Sequence, residues 1–196
     1  MTASADGRLV LFGARDGTTR LMDAERGHLV HRLPSQPGYV RCLDLSPDAR
    51  LALSGNMRDS KMRFWDLEAE RCLQVFEGHS EGIYDVAFDA QQRRALSSSR
   101  DIRLWDLETG QCTRVFRGHT DTIRSVVWSA DQRQALSASH DRTVWVWNID
   151  NGACLRVLEG HSTGVVKAVW SSKARRVLSC DWNGGVRRWD LPGSTS

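Results

Sequence analysis

Two segments carry the Gly-x-Ser-x-Gly spacing of a nucleophile elbow: Gly78-His79-Ser80-Glu81-Gly82 and Gly160-His161-Ser162-Thr163-Gly164. In that motif a sharp strand-to-helix turn exposes a serine hydroxyl, which a histidine–carboxylate pair activates for acyl transfer. Histidine, serine and aspartate recur together along this chain, so the ingredients of a hydrolytic triad are present. The context fails, however. A helix must follow the elbow, whereas Ile83-Tyr84-Asp85-Val86-Ala87-Phe88 and residues 165–170 are β-branched and aromatic runs of strand type. A third copy, Gly118-His119-Thr120-Asp121-Thr122, keeps Gly-His and loses the serine. The two matches are coincidences of a repeated marker, and no catalytic residue is expected. Five cysteines show no Cys-x-x-Cys spacing. Cys72, Cys112 and Cys154, at equivalent strand positions, are expected as small buried thiols rather than disulfides or zinc ligands. With no Walker-type loop, His-Glu-x-x-His or EF-hand loop either, neither a cofactor nor a metal is expected.

The elements that carry these residues repeat. Met22, Trp65, Trp105, Trp147 and Trp189 lie 43, 40, 42 and 42 residues apart, each followed by Asp or Asn in a Trp-Asp-like pair. Gly78-His79, Gly118-His119 and Gly160-His161 keep the same step, as do the three cysteines, and Ser35-Gln36 stands where a fourth Gly-His would fall. Within each unit, short runs such as 123–128, 134–139, 143–147 and 112–116 alternate with turn chemistry at Ala130-Asp131-Gln132, His140-Asp141-Arg142 and Asn151-Gly152. These are strands, about four per repeat. Four short strands cannot bury both faces of their own sheet and gain stability only by stacking on neighbouring sheets.

The Gly-His, the Trp-Asp and the Asp of the tight turn, in register several times over, resemble the WD40-repeat family across essentially the whole chain. The resemblance implies an all-β propeller of about five blades, each a four-stranded antiparallel sheet with strands a to d, at 1–33, 34–76, 77–116, 117–158 and 159–191, followed by a tail, 192–196. Ser4-Ala5-Asp6-Gly7-Arg8 aligns with Ser129-Ala130-Asp131-Gln132-Arg133, so the first blade is expected to lack strand a. Only Leu-Pro-Gly-Ser-Thr-Ser follows the last Trp-Asp, so the last blade is expected to lack strand d. Because rings of this family usually close with about seven blades, the chain reads as the C-terminal part of a longer propeller, an open arc, or a native five-bladed ring. Unpaired edges make self-association a further expectation. The resemblance also turns the triad into a staple. A buried indole N–H needs an acceptor, a serine supplies it, a histidine follows, and a carboxylate fixes the imidazole. His119, Ser139, Asp141 and Trp147 are the expected complete set.

Function then falls to the surface. By family analogy two positions per blade face the loops that grip peptides. One precedes the turn Asp: Arg15, Arg58, Arg100, His140 and, before Asn183, Trp182. The other is second in strand a: Arg41, Tyr84, Arg124 and Val166. Arginine and aromatic side chains are the usual anchors of interfaces, and arginine forks suit acidic or phosphorylated partners. The expected role is a non-catalytic protein-interaction scaffold or adaptor. Alternatives are the sensor portion of a longer signalling enzyme and a single-stranded nucleic acid binder. Against the last, 27 Lys+Arg and 24 Asp+Glu leave a net charge of only +3. No apolar run nears the roughly 18 residues of a membrane helix, and residues 1–6 show no leader pattern, so no membrane contact and a cytoplasmic location are expected.

Overall fold

The structure, a computed structural model, describes residues 1–171 and 176–191. Within them the regular elements are strands, gathered into five sheets. The first sheet holds β1 (Thr2–Ala3), β2 (Leu9–Gly13), β3 (Thr19–Asp23) and β4 (Leu29–Leu33). The second holds β5 (Val40–Leu45), β6 (Leu51–Asn56), β7 (Met62–Asp66) and β8 (Arg71–Phe76). The third holds β9 (Asp85–Phe88), β10 (Arg94–Ser98), β11 (Ile102–Asp106) and β12 (Cys112–Phe116). In the fourth are β13 (Ile123–Trp128), β14 (Gln134–Ser139), β15 (Thr143–Asn148) and β16 (Cys154–Glu159). The fifth has β17 (Val165–Trp170), β18 (Arg176–Asp181) and β19 (Val186–Asp190). Each is a meander in chain order, the all-β blade architecture that the repeat predicts.

One detail differs from the sequence reading. The first blade does not lack strand a altogether, because Thr2 and Ala3 pair antiparallel with Leu11 and Val10. Two residues suffice for a short ladder, although the Ser-x-Asp turn follows at once. The last sheet has three strands among the described residues; the expected tail, 192–196, lies outside them.

Local chemistry explains the turns. Ser4, Ser46 and Ser129 each donate to an aspartate two residues on (Asp6, Asp48, Asp131) at 2.6 Å. The same hydroxyls accept the N–H that opens the next strand, from Leu9, Leu51 and Gln134. Such Asx and Ser turns supply backbone groups with partners that the ladder cannot reach. The second residue of the Trp-Asp pair works likewise in the first four sheets: for example, Asp106 Oδ1 accepts the N–H of Glu108 and Thr109, and Asn148 Oδ1 those of Asp150 and Asn151. The second residue of that repeated pair is a turn cap between strands c and d.

The chain divides into two compact units, Met1–Ser99 with Arg103–Arg114, and Arg100–Ile102 with Val115–Ser196. In the first unit Leu11, Leu21 and Leu33 of the first sheet meet Val40, Leu43, Leu45, Ala52, Trp65 and Leu67 of the second. A second cluster joins Leu53, Met62, Phe64 and Phe76 to Ile83, Val86, Ala95 and Trp105. In the second unit Leu136, Ala138, Val144 and Val146 pack on Val165, Ala168 and Val177. Strand b is buried on both sides in the second and fourth sheets. It therefore carries leucine or alanine toward one core and serine toward the other face, and that serine makes the site chemistry.

Candidate functional site

In the fourth sheet the polar chain is closed. His119 Nδ1 lies 2.6 Å from Asp141 Oδ2, and His119 Nε2 lies 2.7 Å from Ser137 Oγ. The Trp147 indole N–H donates to that same oxygen at 2.8 Å. Asp141 also accepts from the Thr143 hydroxyl at 2.5 Å and from the Thr143 and Thr120 backbone N–H groups at 3.0 and 3.1 Å. Burial works to raise the Asp141 pKa, but hydrogen bonds from His119 and Thr143 outweigh it and hold the group at about 2. A carboxylate that accepts this many donors stays ionised.

The serine of this chain is Ser137, which corrects the expected Ser139. Both side chains leave β14 on one face, but Ser139 sits at the strand end, too close to the turn. Its hydroxyl donates to the Asp121 carbonyl at 3.1 Å and accepts the Asp141 N–H. Ser137 lies opposite Trp145 in the ladder, one step further in, where Trp147 and His119 converge. A sequence signal for it exists. The separation from the Gly-His position to the bonded serine is 18 residues at Gln36–Ser54, His79–Ser97, His119–Ser137 and His161–Ser179.

The other sheets solve the same problem with different residues. In the fifth, His161 bridges Ser179 at 2.7 Å and Asp181 at 2.8 Å, and Trp189 donates to Ser179 at 2.8 Å. Asp181 therefore supplies the carboxylate from two residues nearer the strand than Asp141 does. Its pKa is lowered, first by the His161 hydrogen bond. Gly185 leaves room for it, since a Cβ there would lie 2.8 Å from Asp181 Oδ2. In the third, Ser97 takes the Trp105 N–H at 2.8 Å and lies 2.6 Å from His79 Nε2. In the second, Gln36 replaces the histidine. Its Oε1 accepts the Ser54 hydroxyl at 3.0 Å, while Asp59 turns to Arg63 at 2.6 Å. An amide oxygen stands in for an imidazole nitrogen as acceptor, and an arginine stands in for the imidazole as the carboxylate's partner.

Strand c closes the pattern from above. A Cβ on Gly118, at φ 153°, would run into the Trp145 ring. That ring stacks on Trp147 with centroids 5.0 Å apart and lies 4.7 Å from His119. The equivalent Arg103 and Arg187 lie over Trp105 and Trp189 at 5.9 and 6.0 Å, at cation–π range. Glycine before histidine is thus the space occupied by the strand-c side chain. These chains bind structure together. Ser137 is 1% exposed and already engages both an indole and an imidazole. The elbow-like Ser80 and Ser162 are exposed, but their neighbours His79 and His161 face Ser97 and Ser179 through Nε2, and strands follow both segments.

The cysteine expectation needs correction. Cys72 and Cys154 are exposed and Cys112 is half-buried. Each lies near the start of its strand d, and its thiol donates to the carbonyl two residues on, at 3.3 to 3.4 Å. Cys42 is the buried thiol, and burial pushes its pKa well up.

The eight expected surface residues divide evenly between the two units. In the first, exposed Arg15 and Arg58 sit in the β2–β3 and β6–β7 turns. Gly38 makes room for the Arg58 stem, where a Cβ would lie 2.7 Å away. Arg41 is the extra residue of a bulge between Val40 and Cys42, and Tyr84 immediately precedes β9, its N–H bonded to Ser98. In the second unit Arg124 occupies the corresponding bulge between Ile123 and Ser125. A bulge bends a strand and re-aims one side chain, so the second position of strand a differs from its neighbours for a geometric reason that alternation alone does not reveal. Arg100, His140 and Trp182 lie in turns of the same unit. The Trp182 indole donates to His140 Nε2 at 2.9 Å, the Arg124 guanidinium lies 5.4 Å over the Trp182 ring, and Arg100 lies 3.6 Å from Asp121.

The family described as WD domain, G-beta repeat, matches residues 27–66, 70–106, 110–148 and 152–190. Each match runs from strand d of one sheet to strand c of the next. Among curated relatives, Transducin beta-like protein 3 of Bos taurus is 34% identical over 94 residues, 47% of this chain and 12% of that protein. WD repeat and SOCS box-containing protein 1 of Homo sapiens is 32% identical over 84 residues, 42% of this chain and 20% of that protein. Striatin of Homo sapiens is 30% identical over 90 residues, 44% of this chain and 11% of that protein. The chain thus spans a small part of the length of these relatives. Its repeated sheets, their Gly-His and Trp-Asp markers and the four matched segments together show that the chain belongs to the WD40 family.

Proposed function

We propose that this chain is a non-catalytic adaptor that holds acidic or phosphorylated peptide segments of protein partners on its b–c turns and strand-a bulges. WD40 repeats serve as scaffolds for protein–protein interaction, and the reading narrows that role to a surface. The observation that carries it is the placement of Arg15, Arg41, Arg58 and Tyr84 in one unit and Arg100, Arg124, His140 and Trp182 in the other, all at turns or at the start of strand a. Arginine at such sites offers forked donors to carboxylates and phosphates. The buried histidines and serines are spent on structure, which leaves the surface as the seat of activity. The test is affinity capture with quantified partners, comparing the natural chain with a folded Arg41→Gln/Arg58→Gln/Arg124→Gln variant. Loss of acidic partners from the variant supports the reading, and an unchanged set of partners refutes it.

A further inference from the structure

We infer that Arg100, Arg124, His140 and Trp182 of the second unit form a subsite that reads a carboxylate side chain of a glutamate-rich peptide. The inference rests on the binding-face reading above and deepens it. The four groups come from four separate places: the β10–β11 turn, the β13 bulge, the β14–β15 turn and the β18–β19 turn. Their backbones are anchored before any partner arrives. The Trp182 N–H bonds to the Gly164 carbonyl at 3.0 Å and the His140 N–H to the Thr122 carbonyl at 2.9 Å. Gly164 lets the loop lie against His140, since a Cβ there would come within 3.0 Å of the His140 Cα and Cδ2. A site held this way loses little freedom on binding.

The hydrogen bonding sets the chemistry. An indole N–H can only donate, so His140 Nε2, at 2.9 Å from it, is the acceptor and carries no proton. The neutral imidazole then bears its proton on Nδ1 and presents a donor there. Burial and the nearby Arg124 both pull the His140 pKa down, against a smaller upward pull from Asp121, which favours this neutral form. With the guanidinium groups of Arg100 and Arg124, the cluster is rich in donors. Its carboxylate, Asp121, is ion-paired with Arg100. Trp182, 59% exposed, adds a broad apolar surface beneath Arg124. The indole face suits the two-methylene stem of glutamate, which is longer than the single methylene of phosphoserine.

The experiment is fluorescence anisotropy of a labelled hexaglutamate peptide titrated with the full chain at pH 7.5, with hexaglutamine and phosphoserine peptides of equal length as comparators. The expected result is saturable binding of hexaglutamate. It should weaken about tenfold in Trp182→Ala and in Arg124→Gln, and hexaglutamine should not bind. Both variants are first shown to be folded by near-ultraviolet circular dichroism. Arg156→Gln, an exposed arginine in β16 outside the b–c turns and strand-a bulges, should leave hexaglutamate affinity unchanged. No binding by the natural chain, equal affinity in both folded variants, or tenfold tighter binding of the phosphoserine peptide would overturn the assignment. If partner capture still falls on removing Arg41 and Arg58 while hexaglutamate binding ignores Trp182 and Arg124, the subsite is refuted and the binding face stands. If both assays ignore their variants, the binding face itself is refuted.

Discussion

Replacing Ser137 with alanine removes one oxygen and disconnects two rings. The Trp147 indole loses its acceptor at 2.8 Å and His119 Nε2 loses its partner at 2.7 Å. Trp147 is 1% exposed and the His119 side chain is fully covered, so solvent cannot replace the lost bond. Each orphaned buried polar group costs about 1–3 kcal/mol, and the two share one oxygen, so about 2–4 kcal/mol is expected for the pair. That is a large fraction of the roughly 5–15 kcal/mol that holds a domain together. Ser139→Ala is the matched control. It loses one bond to the Asp121 carbonyl and one from the Asp141 N–H; Ser139 is itself buried, but these partners belong to partly exposed turn residues, and about 1 kcal/mol is expected. Urea titration at pH 7, followed by near-ultraviolet circular dichroism, reads both. A loss for Ser137→Ala equal to or smaller than that for Ser139→Ala would refute the assignment of the serine.

Asp141→Asn should destabilise the second unit by about 1–2 kcal/mol at pH 7. The fall of the Asp141 pKa from 3.8 to about 2 sets an upper limit of about 2.5 kcal/mol, which solvent screening reduces. Because the folded value is the lower one, the advantage of the natural chain is complete above about pH 5 and fades as pH falls through 3.8 toward 2. Urea midpoints at pH 7, 5 and 3 test that trend, and a pH-independent difference contradicts it. Gly185→Ala puts a methyl 2.8 Å from Asp181 Oδ2 and should lower stability by about 1–3 kcal/mol, measured by the shift in urea midpoint. Thiol labelling of the folded chain should modify Cys72 and Cys154 well before Cys42, which is buried with a raised pKa. Mass spectrometry of the labelled peptides reads the order, and early Cys42 labelling contradicts it.

The sheets were legible because their determinants are local and repeated. A Ser-x-Asp pair closes the turn after strand a in the first, second and fourth sheets, and the second residue of the Trp-Asp pair caps the turn after strand c in the first four. The staple was half legible. Residue types pointed to a histidine, a serine, an aspartate and a tryptophan, but two serines share one face of β14, and only the constant 18-residue separation picks Ser137 over Ser139. Asp181 is not legible from the pattern because its position in the strand differs from that of Asp141. A carboxylate can reach the same imidazole from a different backbone position when glycine, here Gly185, opens the turn. The strand-a bulges were hidden for another reason. An extra residue in one strand leaves no mark on alternation of apolar and polar side chains, so Arg41 and Arg124 read only as second positions in a run. Cys72 and Cys154 were misjudged because equivalence across repeats reports a shared position, and that position lies in strand d, whose side chains in these sheets are largely exposed.

The most direct probe of the claim that these polar sets are spent on holding sheets together is hydrogen exchange of the indole N–H groups, resolved by nuclear magnetic resonance. Trp65, Trp105 and Trp147 donate to Ser54, Ser97 and Ser137 in buried surroundings, and their protons should exchange orders of magnitude more slowly than that of the exposed Trp182. Exchange of all four indole protons at a common fast rate would contradict the account.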